Sequence, residues 1–120
     1  MNQAKKLVKC AYHAMEEKKG CDITVLDISK VSVIADYFMI VSGENERQVQ
    51  ALSDAVDEAL QKEGFERRSI EGYSTSSWIL LDYNDVIIHI FNRADRVFYD
   101  LERIWRDGVR VNAEDLDPEA

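Results

Sequence analysis

A run of large apolar residues from Tyr37 to Val41 constrains the fold more than any other segment of the chain. Successive side chains of a strand point to opposite faces, so a strand formed here would be apolar on both sides. Such a strand needs other elements over both faces, which is the position of a central strand in a layered sheet. The run therefore predicts a sheet with packing on both faces.

Alternating helical and strand periodicities surround this run. Apolar residues recur at helical spacing in three segments, and apolar, mostly β-branched runs form the others. The predicted helices cover about residues 3–19, 46–63 and 93–107, and the predicted strands cover about residues 22–29, 37–41, 67–72, 78–82 and 86–91. This order predicts one α/β domain over residues 1–108, in which helices flank a mixed five-stranded sheet.

Local signals at the element boundaries agree with this order. Asn45 followed by Gln48 resembles a capping box, with Asn45 at the start of the second helix. Asn84 lies between the last two strands and tolerates the left-handed backbone that tight hairpins need. Gly20 and Gly64 are natural stops for the first two helices.

The final segment, 109–120, differs from the rest in composition. It carries four acidic residues against one arginine and has few apolar side chains to bury. Segments of this kind do not gain enough from burial to offset the entropy of ordering the chain. We therefore expect an acidic, disordered tail.

The charge balance bears on the partner. The chain has 15 Lys and Arg against 23 Asp and Glu, a formal net charge of −8. Each phosphate contact needs a cation, so direct nucleic-acid recognition is not expected. An acidic protein suits a basic protein partner, because opposite fields speed the encounter.

The cysteines and the hydropathy bear on cofactors and compartment. Cys10 and Cys21 do not form a Cys-x-x-Cys pair, and with two histidines no zinc spacing is present. Both are interpreted as reduced thiols, and no cofactor is expected. No apolar run approaches the roughly 20 residues that cross a bilayer, and no signal peptide is visible. The sequence thus predicts a soluble cytoplasmic protein without a membrane partner.

Three acidic residues near the predicted sheet are candidates for a metal site. Asp36, Asp82 and Asp85 could hold Mg²⁺ for nucleotide transfer, since paired carboxylates bind this ion. The alternative is that Asp82 and Asp85 are ordinary hairpin residues, which is the interpretation we favour.

Other requirements of an enzyme are not met in the sequence. The only trace of a phosphate cradle is Ser42-Gly43, and Glu44 and Glu46 after it would repel phosphate. His89 lies in a strand between apolar residues, and the chain has no Gly-x-Ser-x-Gly elbow to serve a base. We interpret His89 as a satisfied core or interface histidine.

Trp78 has two interpretations of equal weight. Strand alternation puts Trp78, Leu80 and Asp82 on one face and the intervening residues Ile79, Leu81 and Tyr83 on the other. Both rows are largely apolar, so one of them could face a partner. Tryptophan is enriched in binding hot spots, but it is also common in cores.

The order of these segments resembles the ribosomal silencing factor family, also called the Iojap family. The resemblance runs with consistent spacing over about residues 35–107. It rests on Ala35-Asp36-Tyr37-Phe38, Ser42-Gly43, Arg47-Gln48-Val49, Glu71-Gly72, Trp78, Leu80-Leu81-Asp82, Asp85, His89-Ile90-Phe91, Arg96, Phe98-Tyr99-Asp100-Leu101-Glu102 and Trp105. Each motif is weak alone, and their joint order makes the signal strong.

The resemblance implies a function without catalysis. Members of the family bind the large ribosomal subunit through its fourteenth protein, block joining of the small subunit and repress translation when nutrients are short. Their fold is similar to that of nucleotidyltransferases but lacks the catalytic residues. Some members dimerise, which leaves a homodimer open here.

The predicted partner contacts lie around the last hairpin, where apolar anchors stand next to carboxylates. They are Glu71, Tyr73, Trp78, Asp82, Tyr83 and Asp85. Two other functions stay open at this point: a nucleotide-binding or nucleotidyl-transferring enzyme, and a protein-interaction module without a ribosomal role.

Overall fold

The structure, a computed structural model, describes residues 3–30, 33, 35–74, 77–93 and 109–110. Its elements are α1 (Gln3–Glu17), β1 (Cys21–Asp27), β2 (Tyr37–Gly43), α2 (Glu46–Lys62), β3 (Ser69–Glu71), β4 (Trp78–Asp82), β5 (Val86–Asn92) and β6 (Val109–Arg110). The first two predicted helices and all five predicted strands are confirmed, with shifts of one or two residues at most ends. Of the third predicted helix, about residues 93–107, all but Arg93 lie outside the described residues.

The strands form one mixed sheet in the order β3-β4-β5-β2-β1-β6. β2 pairs in parallel with β5 along its whole length, from Tyr37 opposite Val86 to Gly43 opposite Asn92. The other pairings are antiparallel. All seven residues of β2 are buried. The prediction from its two-sided apolar pattern, a central strand in a mixed sheet, is confirmed.

The sheet has a sixth strand at the start of the segment for which the sequence predicted a disordered tail. Val109 pairs with Asp27 and Arg110 with Leu26, so β6 extends the sheet beyond β1. The expectation that Val109 and Arg110 belong to a disordered tail is therefore wrong. At Leu26 and Asp27, β6 supplies strand partners on the side of β1 that faces away from β2. Residues 111–120 lie outside the described residues.

Both helices pack on one face of the sheet. α1 contributes Leu7, Val8, Ala11 and Met15, and α2 contributes Val49, Leu52, Val56 and Leu60, all at most 4% exposed. From the sheet, the side chains that meet them include Met39, Val41, Ile79, Leu81, Ile88 and Ile90. We call this side the helix face. Its apolar stripes are the ones that the helical periodicity predicted.

The opposite face of the sheet carries a second, smaller cluster. Its buried members are Leu26, Ile28, Ala35, Phe38, Ile40, Ile87 and Phe91, and Trp78 and Leu80 pack against them while only partly buried. We call this side the aromatic face. Phe38 and Ile40 come from β2, whose alternate residues thus serve both faces.

A capping interaction joins the two helices. The side chain of Asn45 accepts a hydrogen bond from the backbone N–H of Gln48 at 2.9 Å, as predicted for an N-cap. Gln48 departs from the standard box, because its Oε1 accepts from the N–H of Glu44 instead of Asn45. Its Nε2 donates to the carbonyls of Lys18 and Lys19 after α1, at 3.0 and 3.1 Å. One side chain therefore ties the end of α1 to the start of α2.

Glycine has a different role after α1 than the sequence predicted. The residue with a left-handed backbone is Lys19, at φ 59°, while Gly20 has no positive φ. A Cβ at Gly20 would lie 2.6 Å from a methyl group of Val41. Gly20 is therefore required by the close approach of the chain to β2.

Candidate docking surface

The six predicted contact residues lie near one another along the chain, but the structure divides them between the two faces. Strand β4 decides the division, because its alternate side chains point in opposite directions. Ile79 and Leu81 are fully buried on the helix face, whereas Trp78, Leu80 and Asp82 are each half-buried on the aromatic face.

Strand β3 adds a carboxylate to the half-buried row. Glu71 pairs with Leu80 and Ser69 with Asp82, and directly opposed residues of an antiparallel pair share a face. Glu71 is exposed, and Ser69 is half-buried. We call Glu71, Trp78, Leu80 and Asp82 the docking row. Leu80 was not among the predicted contacts, although the alternation had already placed it with Trp78 and Asp82.

Burial rises from the docking row toward the middle of the sheet. On β5, the residues opposite Trp78, Leu80 and Asp82 are Phe91, His89 and Ile87. These three are 0%, 4% and 8% exposed. The docking row thus lies at the border between a buried apolar cluster and solvent, the arrangement of an apolar centre with a polar rim.

Trp78 is held in place by the buried cluster beneath it. Its indole Nε1 donates to Nδ1 of His89 at 3.0 Å, and its ring stacks on Phe91 with centroids 5.2 Å apart. The ring of Phe38 meets His89 edge-on at 4.7 Å. Trp78 therefore takes part in the core and retains accessible surface, so the two interpretations of this residue are not exclusive.

His89 is neutral in this environment. Burial lowers its pKa to about 4, because the charged imidazolium would lack the hydration that stabilises it in water. The expected core histidine is confirmed, with one difference. Only Nδ1 is satisfied, while Nε2 is buried without a hydrogen-bond partner among the residues that the structure describes.

Asp82 and Asp85 shape the turn between β4 and β5. A carboxylate oxygen of Asp82 accepts from the backbone N–H of Asn84 at 2.8 Å, and Asn84 has a φ of 71° as its identity predicted. Asp85 is exposed, and its carbonyl accepts from the N–H groups of Asp36 and Tyr37 at 2.7 and 3.1 Å. Both residues thus have the hairpin role that the sequence analysis favoured.

The proposed magnesium ligands do not form a site in the described part of the chain. There, no group of three or more His, Cys, Asp or Glu side chains is placed to hold a metal ion. Asp36 and Asp85 are joined through backbone atoms instead.

Tyr83 belongs to the helix face, and its assignment to the partner surface needs correction. It is 5% exposed, and its hydroxyl donates to Asp57 of α2 at 2.7 Å. The same carboxylate accepts a salt bridge from Arg67 at 3.1 Å. Burial, followed by the hydrogen bond to Asp57, raises the pKa of Tyr83 far above its usual range. A side chain enclosed in this way contributes stability rather than contact area.

Tyr73 also turns toward the helices. Its hydroxyl donates to Asp54 of α2 at 3.1 Å, and Gln50 donates to its carbonyl at 3.4 Å. Tyr73 as a whole remains 38% exposed. Of the six predicted contacts, the structure brings Glu71, Trp78 and Asp82 together in the docking row and directs Tyr73 and Tyr83 elsewhere. The sixth, Asp85, is exposed in the turn between β4 and β5, outside the row.

A carboxylate just before the start of α2 is bound by a thiol and a guanidinium group. Glu44 accepts from Cys21 at 3.2 Å and pairs with Arg93 at 2.8 Å. The hydrogen bonds from Cys21 and then Arg93 lower the pKa of Glu44 below its usual range. Cys21 and Cys10 are free thiols, as expected. At this helix start the N–H groups of Glu44 and Gln48 already have side-chain acceptors, which works against phosphate binding there.

A membrane helix is not found where the chain is described: neither α1 nor α2 is both long and apolar enough to span a bilayer.

Comparison with known proteins identifies relatives along most of the chain. The family model described as "Ribosomal silencing factor during starvation" matches residues 1–120. The chain is 36% identical over 108 residues to the ribosomal silencing factor RsfS of Halalkalibacterium halodurans, covering 90% of this chain and 92% of that protein. It is 36% identical over 107 residues to RsfS of Bacillus subtilis, covering 89% and 90%.

More distant and structural relatives agree. The chloroplastic protein Iojap of Zea mays is 32% identical over 98 residues, which are 82% of this chain and 42% of that protein. A crystal structure of a Chromobacterium violaceum protein superposes with a TM-score of 0.84 at 34% identity, covering 87% of each chain. The two RsfS proteins carry the name of a regulatory factor rather than that of an enzyme. Together with the family match, they show that the chain belongs to the ribosomal silencing factor family.

Proposed function

We propose that this protein represses translation by docking on the large ribosomal subunit and excluding the small subunit. The docking row contacts the fourteenth protein of the large subunit, and the bulk of the domain then occupies the face at which the subunits join. The observation that carries the proposal is the row itself: Trp78, Leu80 and Asp82, all half-buried on one face of β4, with exposed Glu71 beside them.

The composition of the row suits a basic protein surface. Trp78 and Leu80 supply apolar area that loses water on contact, and the two carboxylates pair with cations at the rim. The net charge of −8 favours encounter with a basic partner at long range. A specific interface buries about 800 Å² on each partner, and the domain can supply that area around the row.

Docking of this kind requires no chemistry. A bound domain blocks subunit joining by its volume, so the protein acts in the cytoplasm as a binding protein and not as an enzyme. The start of α2 supports this view, because the backbone N–H groups of Glu44 and Gln48 already donate to the side chains of Gln48 and Asn45 instead of facing a phosphate.

Sedimentation with purified large subunits tests the proposal. Asp82→Lys places a cation in the docking row and should reduce the bound fraction, more at low salt than at high salt, since salt screens the repulsion. Glu58→Lys makes the same change of charge on α2, where the exposed Glu58 pairs with Lys62 at 3.5 Å. This control should bind like the parent chain. Equal binding of both variants and the parent would reject the docking row.

The oligomeric state of the free protein can be measured by the same method. A second copy of the chain could also cover the docking row, and a homodimer formed in that way would compete with the subunit. Sedimentation of the free protein over a range of concentrations measures dimerisation directly. If the row serves only the ribosome, Trp78→Ala should leave the dimerisation constant unchanged.

A further inference from the structure

His89 is a buried residue with one of its two ring nitrogens unsatisfied. Its side chain is 4% exposed, and Nδ1 accepts the indole N–H of Trp78 at 3.0 Å. A neutral imidazole that accepts at Nδ1 carries its proton on Nε2. That Nε2 is buried and has no hydrogen-bond partner in the described part of the chain. The fold therefore contains an unpaired buried N–H donor, which lowers stability.

The aromatic contacts of His89 do not explain why a histidine, rather than an apolar ring, stands at this position. Phe38 meets its ring edge-on at 4.7 Å, and Phe91 lies nearly parallel to it at 6.3 Å. A phenylalanine at position 89 could make such aromatic contacts without an unpaired N–H. What an apolar ring could not provide is an acceptor for the indole of Trp78.

The acceptor has a directional effect that stacking lacks. Phe91 supports the indole of Trp78 with centroids 5.2 Å apart and planes 26° apart. Such stacking favours one plane for the ring but does not itself select the direction in which Nε1 points. The hydrogen bond to Nδ1 selects that direction, because it requires one orientation of Nε1. The indole thus has its polar edge turned to His89.

The backbone of Trp78 is restrained by a second residue. Gly72 has a φ of 79°, and a Cβ at this position would overlap the carbonyl oxygen of Trp78. The chain before β4 therefore lies directly against the first residue of the strand. Backbone and side chain of Trp78 are each held by a specific contact.

We propose that His89 is a positioning residue for docking, which fixes the orientation of the Trp78 indole through the hydrogen bond at Nδ1. The inference rests on the proposed function of the docking row. An anchor that is already oriented loses less conformational entropy on binding, so the partner meets a preformed surface. His89 acts through Trp78 and does not itself contact the partner.

The first test uses the free protein. Exchange of the Trp78 indole N–H with solvent is followed by ¹H–¹⁵N NMR, with its signal distinguished from that of Trp105 by Trp78→Phe. His89→Phe keeps an aromatic ring but removes the acceptor, and it should speed this exchange about fivefold, the worth of one ordinary hydrogen bond. His89→Asn should restore slow exchange, because its Oδ1 is attached to Cγ as Nδ1 is.

A matched control separates the hydrogen bond from packing. Phe38→Leu changes the contact with the ring of His89 and leaves the acceptor in place. It should lower the melting temperature and leave the exchange of the Trp78 indole within about twofold of the parent. A long-range ¹H–¹⁵N spectrum of the parent should show His89 protonated at Nε2.

The second test measures affinity for purified large subunits. His89→Phe should weaken binding about fivefold, and His89→Asn should recover most of that loss. In a Trp78→Phe background, which lacks the donor, His89→Phe should change the affinity by less than about twofold.

The outcomes separate this inference from the proposed function. Unchanged indole exchange in His89→Phe, or an equal loss of affinity with and without the indole donor, would overturn the positioning role. Failure of the parent chain to bind large subunits would count against the proposed function. Slow exchange that depends on His89 would still support its control of Trp78, since it is measured without the ribosome.

Discussion

The two faces of strand β4 differ although they belong to the same five residues. On the helix face, Ile79 and Leu81 are fully buried against α1 and α2. On the aromatic face, Trp78, Leu80 and Asp82 are only half-buried. The comparison teaches that one strand can close a core with one set of side chains and leave the other set partly accessible, because its residues alternate between environments.

The neighbouring leucines of β4 provide the most direct test of this difference. Leu81→Ala should lower the free energy of unfolding by about 2–5 kcal/mol, since it leaves a cavity in a closed core. Leu80→Ala removes the same atoms from a half-buried site and should cost about 1 kcal/mol. Urea denaturation measures both. Equal losses would mean that the two faces are not distinct in stability.

A pH titration of the free energy of unfolding tests the buried part of the aromatic face, where His89 lies. The pKa of His89 is about 4 in the folded protein against an ordinary value of 6.5. Below pH 6.5 the histidine is protonated in the unfolded chain, whereas in the folded chain it stays neutral until about pH 4. The free energy of unfolding should therefore fall by about 3 kcal/mol between these values.

His89→Phe is the control for that titration, because it lacks the titrating group. The difference between the denaturation midpoints of parent and variant should shift with pH between 6.5 and 4 and then level off. A difference that does not depend on pH would show that His89 is charged as readily in the folded state as in the unfolded chain.

Trp78→Ala should affect binding more than it affects folding. As an anchor of the docking row, Trp78 should contribute about 2 kcal/mol to affinity, roughly a 30-fold loss on truncation. Its stacking on Phe91 also stabilises the fold, so a smaller fall in the melting temperature is expected. Loss of folding with retained affinity per folded molecule would reverse our assignment of the two faces.

The smallest effect is expected at the opposite end of the sheet. Removal of residues 111–120 should barely change stability, because the sequence offers few apolar side chains there. Truncation after residue 108 also removes β6 and its pairing with Leu26 and Asp27. This longer truncation should cost about 1 kcal/mol more, the worth of an ordinary hydrogen bond or two. Calorimetry of both truncations gives the difference.

Much of the fold was predictable because it depends on local patterns. The two-sided apolar run of β2 predicted its central place, and the stripes of α1 and α2 predicted which side chains are buried. The cap at Asn45 and the left-handed Asn84 followed from side-chain chemistry at single positions. Each of these features is determined within a few residues of the chain.

The candidate site was predicted only in part. Glu71, Trp78 and Asp82 were placed correctly beside one another, whereas Leu80 was overlooked although its position in the alternation was known. Tyr83 was assigned to the surface for its residue type, although the alternation had placed it on the face opposite Trp78. Its hydroxyl donates to Asp57, 26 positions away in the chain, inside the helix face. Residue type alone does not tell whether a distant partner exists.

The sequence by itself determined the first two helices, five of the strands, the central place of β2, the acidic character and, through the order of its motifs, the family. Periodicity and charge are properties of the chain that hold before any long-range contact forms. Tertiary structure alone decided which face of β4 is closed, that His89 accepts from Trp78, and that Val109 and Arg110 complete the sheet. These features depend on contacts between residues far apart in the chain, and packing in three dimensions selects among the partners that the sequence permits.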